Sequence, residues 1–267
     1  MTRGSSRHLG LGRVLGLVIA VLFHYPNSLL AQQATARPTR FPSGITVKTG
    51  VGHYSVRDEY ISTAKYSGTL PFVSASWARL RETGGYRIEI EQRNSAEIRN
   101  GSVSSTVTQF SLSLDYLYRV AAPSLFAKDA PIFLGPSVEF YFYGNEQNIA
   151  SNGLDLVISF AALVSAGVNA GVVVPLGDRI HTTLSARSTV LSLGLRMVDL
   201  MEDDESPFKF LTLPSGANAS ASLGLRYYLL DRLSLEVAYE SQLLRIRPWD
   251  RLLAASDNLT LGITLGV

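Results

Sequence analysis

Thr260-Leu261-Gly262-Ile263-Thr264-Leu265-Gly266-Val267 is the stretch that decides the fold. Extended backward, Leu259, Leu261, Ile263, Leu265 and Val267 alternate with Asn258, Thr260, Gly262, Thr264 and Gly266. A strand turns successive side chains to opposite faces, so this segment has one greasy face and one small, polar face. A soluble sheet packs such a greasy face on a core, whereas a closed barrel in lipid turns it outward.

The same period of two recurs along the chain. Near 44–53, Ile45, Val47 and Val51 oppose Thr46, Lys48, Gly50 and Gly52, and near 85–97, Tyr86, Ile88 and Ile90 oppose Arg87, Glu89 and Glu91. Phe110, Leu112, Leu114, Tyr116 and Tyr118 oppose Ser111, Ser113, Asp115 and Arg119; Val138, Phe140 and Phe142 oppose Glu139, Tyr141 and Tyr143. Near 178–197, Ile180, Leu184 and Ala186 oppose His181, Thr183, Ser185 and Arg187. The phase then flips to Leu191, Leu193 and Leu195, which predicts a bulge near Val190. Further segments near 70–81, 154–174, 215–229, 232–246 and 255–267 complete a set of about ten strands, with about 8–12 allowed.

The connections fall into two classes. Tight turns are expected at 82–85, 176–179 and 230–232, and longer polar connections at 54–69, 94–102, 144–153, 198–214 and 247–255. Short and long alternate, as periplasmic turns and external loops do in a membrane barrel. The connection 120–131 is too long for its place in that rhythm.

Charge supports lipid over a soluble sandwich. The polar faces carry Arg87, Glu89, Glu91, Glu139, Arg187, Arg226, Glu236 and Glu240 in strand interiors, with both signs represented. A lumen holds such groups as paired or hydrated ions. Tyr54, Tyr60, Tyr66, Tyr116, Tyr118, Phe140, Phe142, Tyr227, Tyr239 and Trp249 lie near expected strand ends, where aromatic girdles belong. The fold class expected is all-β: one closed antiparallel transmembrane β-barrel over 44–267.

The N-terminus reads as a targeting segment. Arg3, Arg7 and Arg13 flank an apolar run, Val14 to Phe23, that is too short to span a bilayer, and small residues lead to Ala31-Gln32. We read 1–31 as a signal peptide and 32–43 as a flexible leader. Its removal takes three arginines and no acid, so the formal charge falls from +2 to −1 and gives no support to nucleic-acid binding. There is no cysteine, hence no disulfide, lipid-attachment or thiolate chemistry.

The C-terminal strand resembles the assembly signal of bacterial outer-membrane barrels, here Thr260, Gly262, Leu265 and Val267, with valine where an aromatic is usual. With the Ala31-Gln32 signal end, the chain looks like the outer-membrane β-barrel domain proteins frequent in the Bacteroidetes. The resemblance implies bacterial outer-membrane localisation after export. It also implies recognition by the barrel-assembly machinery and contact with outer-membrane lipid or lipopolysaccharide.

Omptin-like proteases need Asp-Asp and Asp-x-His pairs at the rim. After the signal segment only His53 and His181 remain; His53 has no Asp two residues before it, and His181 sits beside a short turn. Lipid-modifying barrels need Ser and His in register on the lipid face, and His181 with Ser185 points to the lumen. His53 reads as an ordinary loop residue and His181 as a lumen hydrogen-bonding residue. The acidic run Asp199, Glu202, Asp203, Asp204 and Glu205 is a weak divalent-ion candidate without EF-hand spacing. The sequence therefore predicts no enzyme and no cofactor. It favours a structural or surface-interaction barrel with a narrow, charge-filled lumen, and a small-solute pore as the alternative. It does not identify the surface ligand.

Overall fold

The structure, a computed structural model, describes residues 43–266 apart from 95–96, 102, 126–127, 149–155, 199–205, 214, 248 and 250. The expected signal peptide, the leader before Ser43, the acidic run 199–205 and Val267 lie outside the described residues.

Ten long strands carry the fold: β1 (Gly44–Asp58), β2 (Tyr66–Leu80), β3 (Gly84–Asn94), β4 (Val103–Ala121), β5 (Ile132–Asn148), β6 (Leu156–Pro175), β7 (Ile180–Val198), β8 (Gly216–Leu230), β9 (Leu233–Ile246) and β10 (Leu252–Leu265). Each pairs antiparallel with its sequence neighbours, and β1 also pairs with β10, from Ile45↔Leu265 to Asp58↔Leu252. The sheet therefore closes on itself and leaves no unpaired edge among the long strands. No helix occurs among the described residues.

The register fixes the barrel's shape. Following cross-strand partners from Thr182 through Leu225, Val237, Leu261, Thr49, Val73, Gln92, Phe110, Phe142 and Ala162 returns to β7 at Leu195. That offset, once the bulge residue Val190 between Thr189 and Leu191 is set aside, is a shear of about 12, which tilts ten strands by about 40° and gives a backbone radius of roughly 10 Å. The predicted bulge thus keeps Leu191 and Leu193 on the outside after Arg187 has faced in.

Both described ends of the barrel chain and the short turns share one rim. At Arg81–Gly84 two backbone bonds close the turn (2.9 and 3.2 Å), with Gly84 at φ 145°, a conformation that favours glycine. The long 120–131 connection lies on the same rim, where Ser124–Leu125 pairs with Lys128–Asp129 as a small hairpin of its own. The opposite, loop rim differs from expectation. The strands run further: β1 reaches Asp58, β5 reaches Asn148 and β10 begins at Leu252, so much of 54–69, 144–153 and 247–255 is strand. Short strands at Ile98–Asn100 and Phe208–Thr212 extend the wall further. The reason lies inside. Tyr54, Val56, Tyr66, Leu70, Tyr141, Tyr143, Leu163, Leu244, Ile246 and Leu252 form an apolar cluster that rewards continued pairing at this end.

The outward face is apolar. Leu259, Leu261, Ile263 and Leu265 are 54–61% exposed, while Asn258, Thr260 and Thr264 on the same strand are buried. Trp77 and Tyr86 pack edge to face at 5.1 Å, and the tilted rings of Tyr116 and Tyr118 lie 4.7 Å apart, as a girdle toward the terminal rim. On β4 the outward run from Tyr118 to Phe110 climbs roughly 20 Å along the barrel axis, the scale of a membrane's apolar band. Tyr54 and Tyr66 are not girdle residues as expected: they are 1% and 6% exposed and point into the lumen. Nearness to a strand end does not set the phase. Tyr54 continues the inward series Thr46, Lys48, Gly50 and Gly52.

Candidate functional site

The lumen is stacked in layers. Toward the terminal rim, Leu80, Leu117, Phe133 and Val173 form a small apolar layer. Toward the loop rim sits the larger Tyr/Leu cluster, which Ile98 and Leu211 complete. Between the two lies a belt of ions.

All eight charged residues singled out in the sequence point into this belt, and the register explains their partners. Arg87 faces Asp115 across β3–β4, and donates to Asp115 Oδ2 from Nε (3.0 Å) and Nη2 (2.8 Å). Arg187 Nη2 donates to the same oxygen at 2.8 Å and lies 3.6 Å from Glu89, while its Nη1 lies 3.9 Å from Glu139. Glu139 accepts from Asn218 Nδ2 (2.7 Å), Asn218 accepts from Gln242 Nε2 (3.0 Å), and Gln242 accepts from Arg93. Arg93 closes this line on Glu91 at 3.1 Å. Across β8–β9, Arg226 is paired directly opposite Glu236 and donates to it from Nε at 2.9 Å. Lys48 Nζ lies between Glu236 (3.0 Å) and Glu240 (3.1 Å). The web spans β1, β3, β4, β5, β7, β8 and β9, so it cross-braces most of the wall.

Lys48, Arg93 and Asp115, which the alternation also puts on polar strand faces, complete the belt. Their alternation with outward Val47, Gln92 and Leu114 was the available signal. Gly262, in the C-terminal assembly signal, also serves the belt: a methyl there would meet Lys48 Cγ at 2.9 Å. Thr264, its neighbour on the inner face, shares a 2.8 Å hydroxyl contact with Thr46, and Thr260 donates to Ala238 O at 3.3 Å. Leu265 faces out.

Most of the belt is buried. Asp115 is 0% exposed, Glu139 4%, Glu236 5% and Arg226 6%. A cavity of about 100 Å³ borders Lys48, Arg87, Asn169, Arg226 and Glu236, reaches Leu80, Leu117 and Phe133 of the apolar layer, and has room for several waters. A second ion pair, Arg196 with Asp58, is buried nearer the loop rim. Outside the span, the Arg99 guanidinium hydrogen-bonded to Glu97 (2.7 Å) holds that carboxyl below its ordinary value.

The histidines separate. His181 is buried in the lumen with its ring 5.0 Å from that of Tyr228, edge on. His53 is not a loop residue: it lies within β1 and faces outward. No group of three or more potential metal ligands occurs among the described residues.

No family model and no curated protein matches the sequence. Solved barrels are similar in structure. The outer-membrane protease OmpT of Escherichia coli shares 10% identity over 88% of this chain and 100% of that one, with a TM-score of 0.42. The translocator domain of the autotransporter NalP of Neisseria meningitidis shares 12% over 94% and 93%, also at 0.42. Ail, the attachment invasion locus protein of Yersinia pestis, shares 8% over 83% and 98%, at 0.33.

Proposed function

We propose that this chain is a bacterial outer-membrane β-barrel protein of the Bacteroidetes type, with a sealed lumen and a structural or surface-interaction role. In this reading an N-terminal signal peptide exports it, and the barrel-assembly machinery recognises its last strand. Lipid and lipopolysaccharide contact its outer wall. The single observation that carries the sealed lumen is the burial of paired ions at mid-height, with Asp115 at 0% exposure between apolar layers at both ends. A lumen that conducts needs a hydrated path, and ions along it are exposed to that water. The small-solute pore is therefore the weaker reading, and the belt acts as an internal brace.

Planar-bilayer recording of the refolded protein tests this. Heat-modifiable migration on gels should accompany folding, and the bilayers should stay silent. Steady single-channel conductance from the folded form would overturn the sealed-lumen reading.

A further inference from the structure

Closure of the barrel places a carboxylate beside His53 that lies 204 positions away in the sequence. β1 and β10 pair at the seam, and in their register His53 stands opposite Asp257. Both face outward. Below the arginines at 57, 245 and 251 and above Arg79 at the other rim, they are the only residues other than tyrosines with ionisable side chains that the described strands turn toward lipid. Ionisable groups on a lipid-facing wall are rare and mark function.

The surroundings give the pair a chemistry. Directly opposed residues on neighbouring strands have Cβ atoms about 4.5–5.5 Å apart, so imidazole and carboxylate are within reach through rotamer choice. Tyr239, on β9, donates to Asp257 Oδ1 at 2.8 Å, which fixes the carboxylate and leaves its other oxygen for the imidazole. Ser55, two residues after His53, shares its outward face. A serine, a base and a carboxylate that orients the base are the parts of acyl transfer.

The outward series on β1 then reads Ile45, Val47, Thr49, Val51, His53, Ser55 and Arg57. Each step climbs roughly 5 Å along the membrane normal. Apolar residues come first, then His53 and Ser55, then a guanidinium held near Glu59 (3.4 Å), which Arg251 also approaches (3.7 Å). An acylated, phosphate-bearing lipid has the same order: chain, ester, anionic headgroup.

We propose that His53, Ser55 and Asp257 form a lipid-facing esterase site for such a lipid, with Arg57 engaging the phosphate. Ser55 Oγ adds to the ester carbonyl carbon and its proton passes to His53. The ester C–O bond breaks and His53 protonates the departing alkoxide, leaving an acyl-serine. Water then adds to the acyl carbon, its proton passing through His53 to Ser55 Oγ, and the fatty acid leaves. Asp257 orients the imidazole and stabilises its charged form. This goes beyond the sealed-lumen reading and is independent of it.

The test incubates the folded full chain in detergent with phosphatidylglycerol–phosphatidylethanolamine mixed micelles in one arm and lipopolysaccharide in the other, and measures released fatty acid by mass spectrometry. Release in either arm is expected, and the arm identifies the lipid source. Ser55→Ala, His53→Ala and Asp257→Asn should each cut it by about 10,000-fold or more. Ser241→Ala and Thr69→Val, on the same outer face, should leave it unchanged. Arg57→Gln should raise KM at constant kcat. A fluorophosphonate probe should label the parent chain at Ser55, a readout that no folding defect in a variant can affect. Absence of fatty acid in both arms, undiminished release from heat-modifiable Ser55→Ala, or a label mapped elsewhere would overturn the proposal.

Discussion

Asp115→Asn tests whether the ionic belt braces the barrel. The carboxylate takes three hydrogen bonds, two from Arg87 at 3.0 and 2.8 Å and one from Arg187 at 2.8 Å, with no exposure of its own. The amide keeps the shape and removes the charge, so two guanidiniums meet across a neutral group. Arg87 is 25% exposed and regains some hydration from the adjoining cavity; Arg187 retains Glu89 and Glu139. Breaking a buried pair from one side typically costs 3–5 kcal/mol, and this residual compensation puts the expected loss at the low end, about 3 kcal/mol. Replacing both partners, Asp115→Leu with Arg87→Leu, removes both charges of that pair and leaves Arg187 with Glu89 and Glu139, so it should cost less than Asp115→Asn alone. Urea unfolding from phospholipid vesicles, followed by tryptophan fluorescence and by heat-modifiable migration, gives the difference at constant slope. A loss below about 1 kcal/mol for Asp115→Asn, or a double variant worse than the single, would refute the brace.

The outer wall and the seam give further predictions. Leu261→Arg places a cation on the lipid face and should cost about 2–4 kcal/mol in vesicle-based unfolding. Gly52→Ala drives a methyl against the Asp257 carbonyl oxygen where β1 meets β10, and should lower stability by about 1–3 kcal/mol on the same assay. Arg196→Met leaves Asp58 buried with its main counter-ion gone and should cost about 3–5 kcal/mol, read as a lowered temperature for the gel-shift transition.

The strand phases were legible in the sequence because the two solvents of a barrel differ so sharply. Glu89, Glu139, Arg187 and Glu236 lie in the odd–even phase that the neighbouring leucines and valines leave, and the flip at Val190 announced its bulge. Loop-rim boundaries were less legible. Tyr54 and Tyr66 look alike as girdle or lumen residues until their neighbours are known, and it is their burial with Tyr141 and Tyr143 that extends the strands.

Alternation alone determined that this chain forms a sheet with a lipid face and an ionic face, since side-chain direction in a strand is a local property. Which ion meets which, and whether the interior is sealed, depended on strand order, shear and register. These are set by cooperative pairing around the whole ring. The closing seam shows the difference most clearly. His53 and Asp257 are neighbours only because the first strand must find the last, so no local reading of the sequence could bring them together.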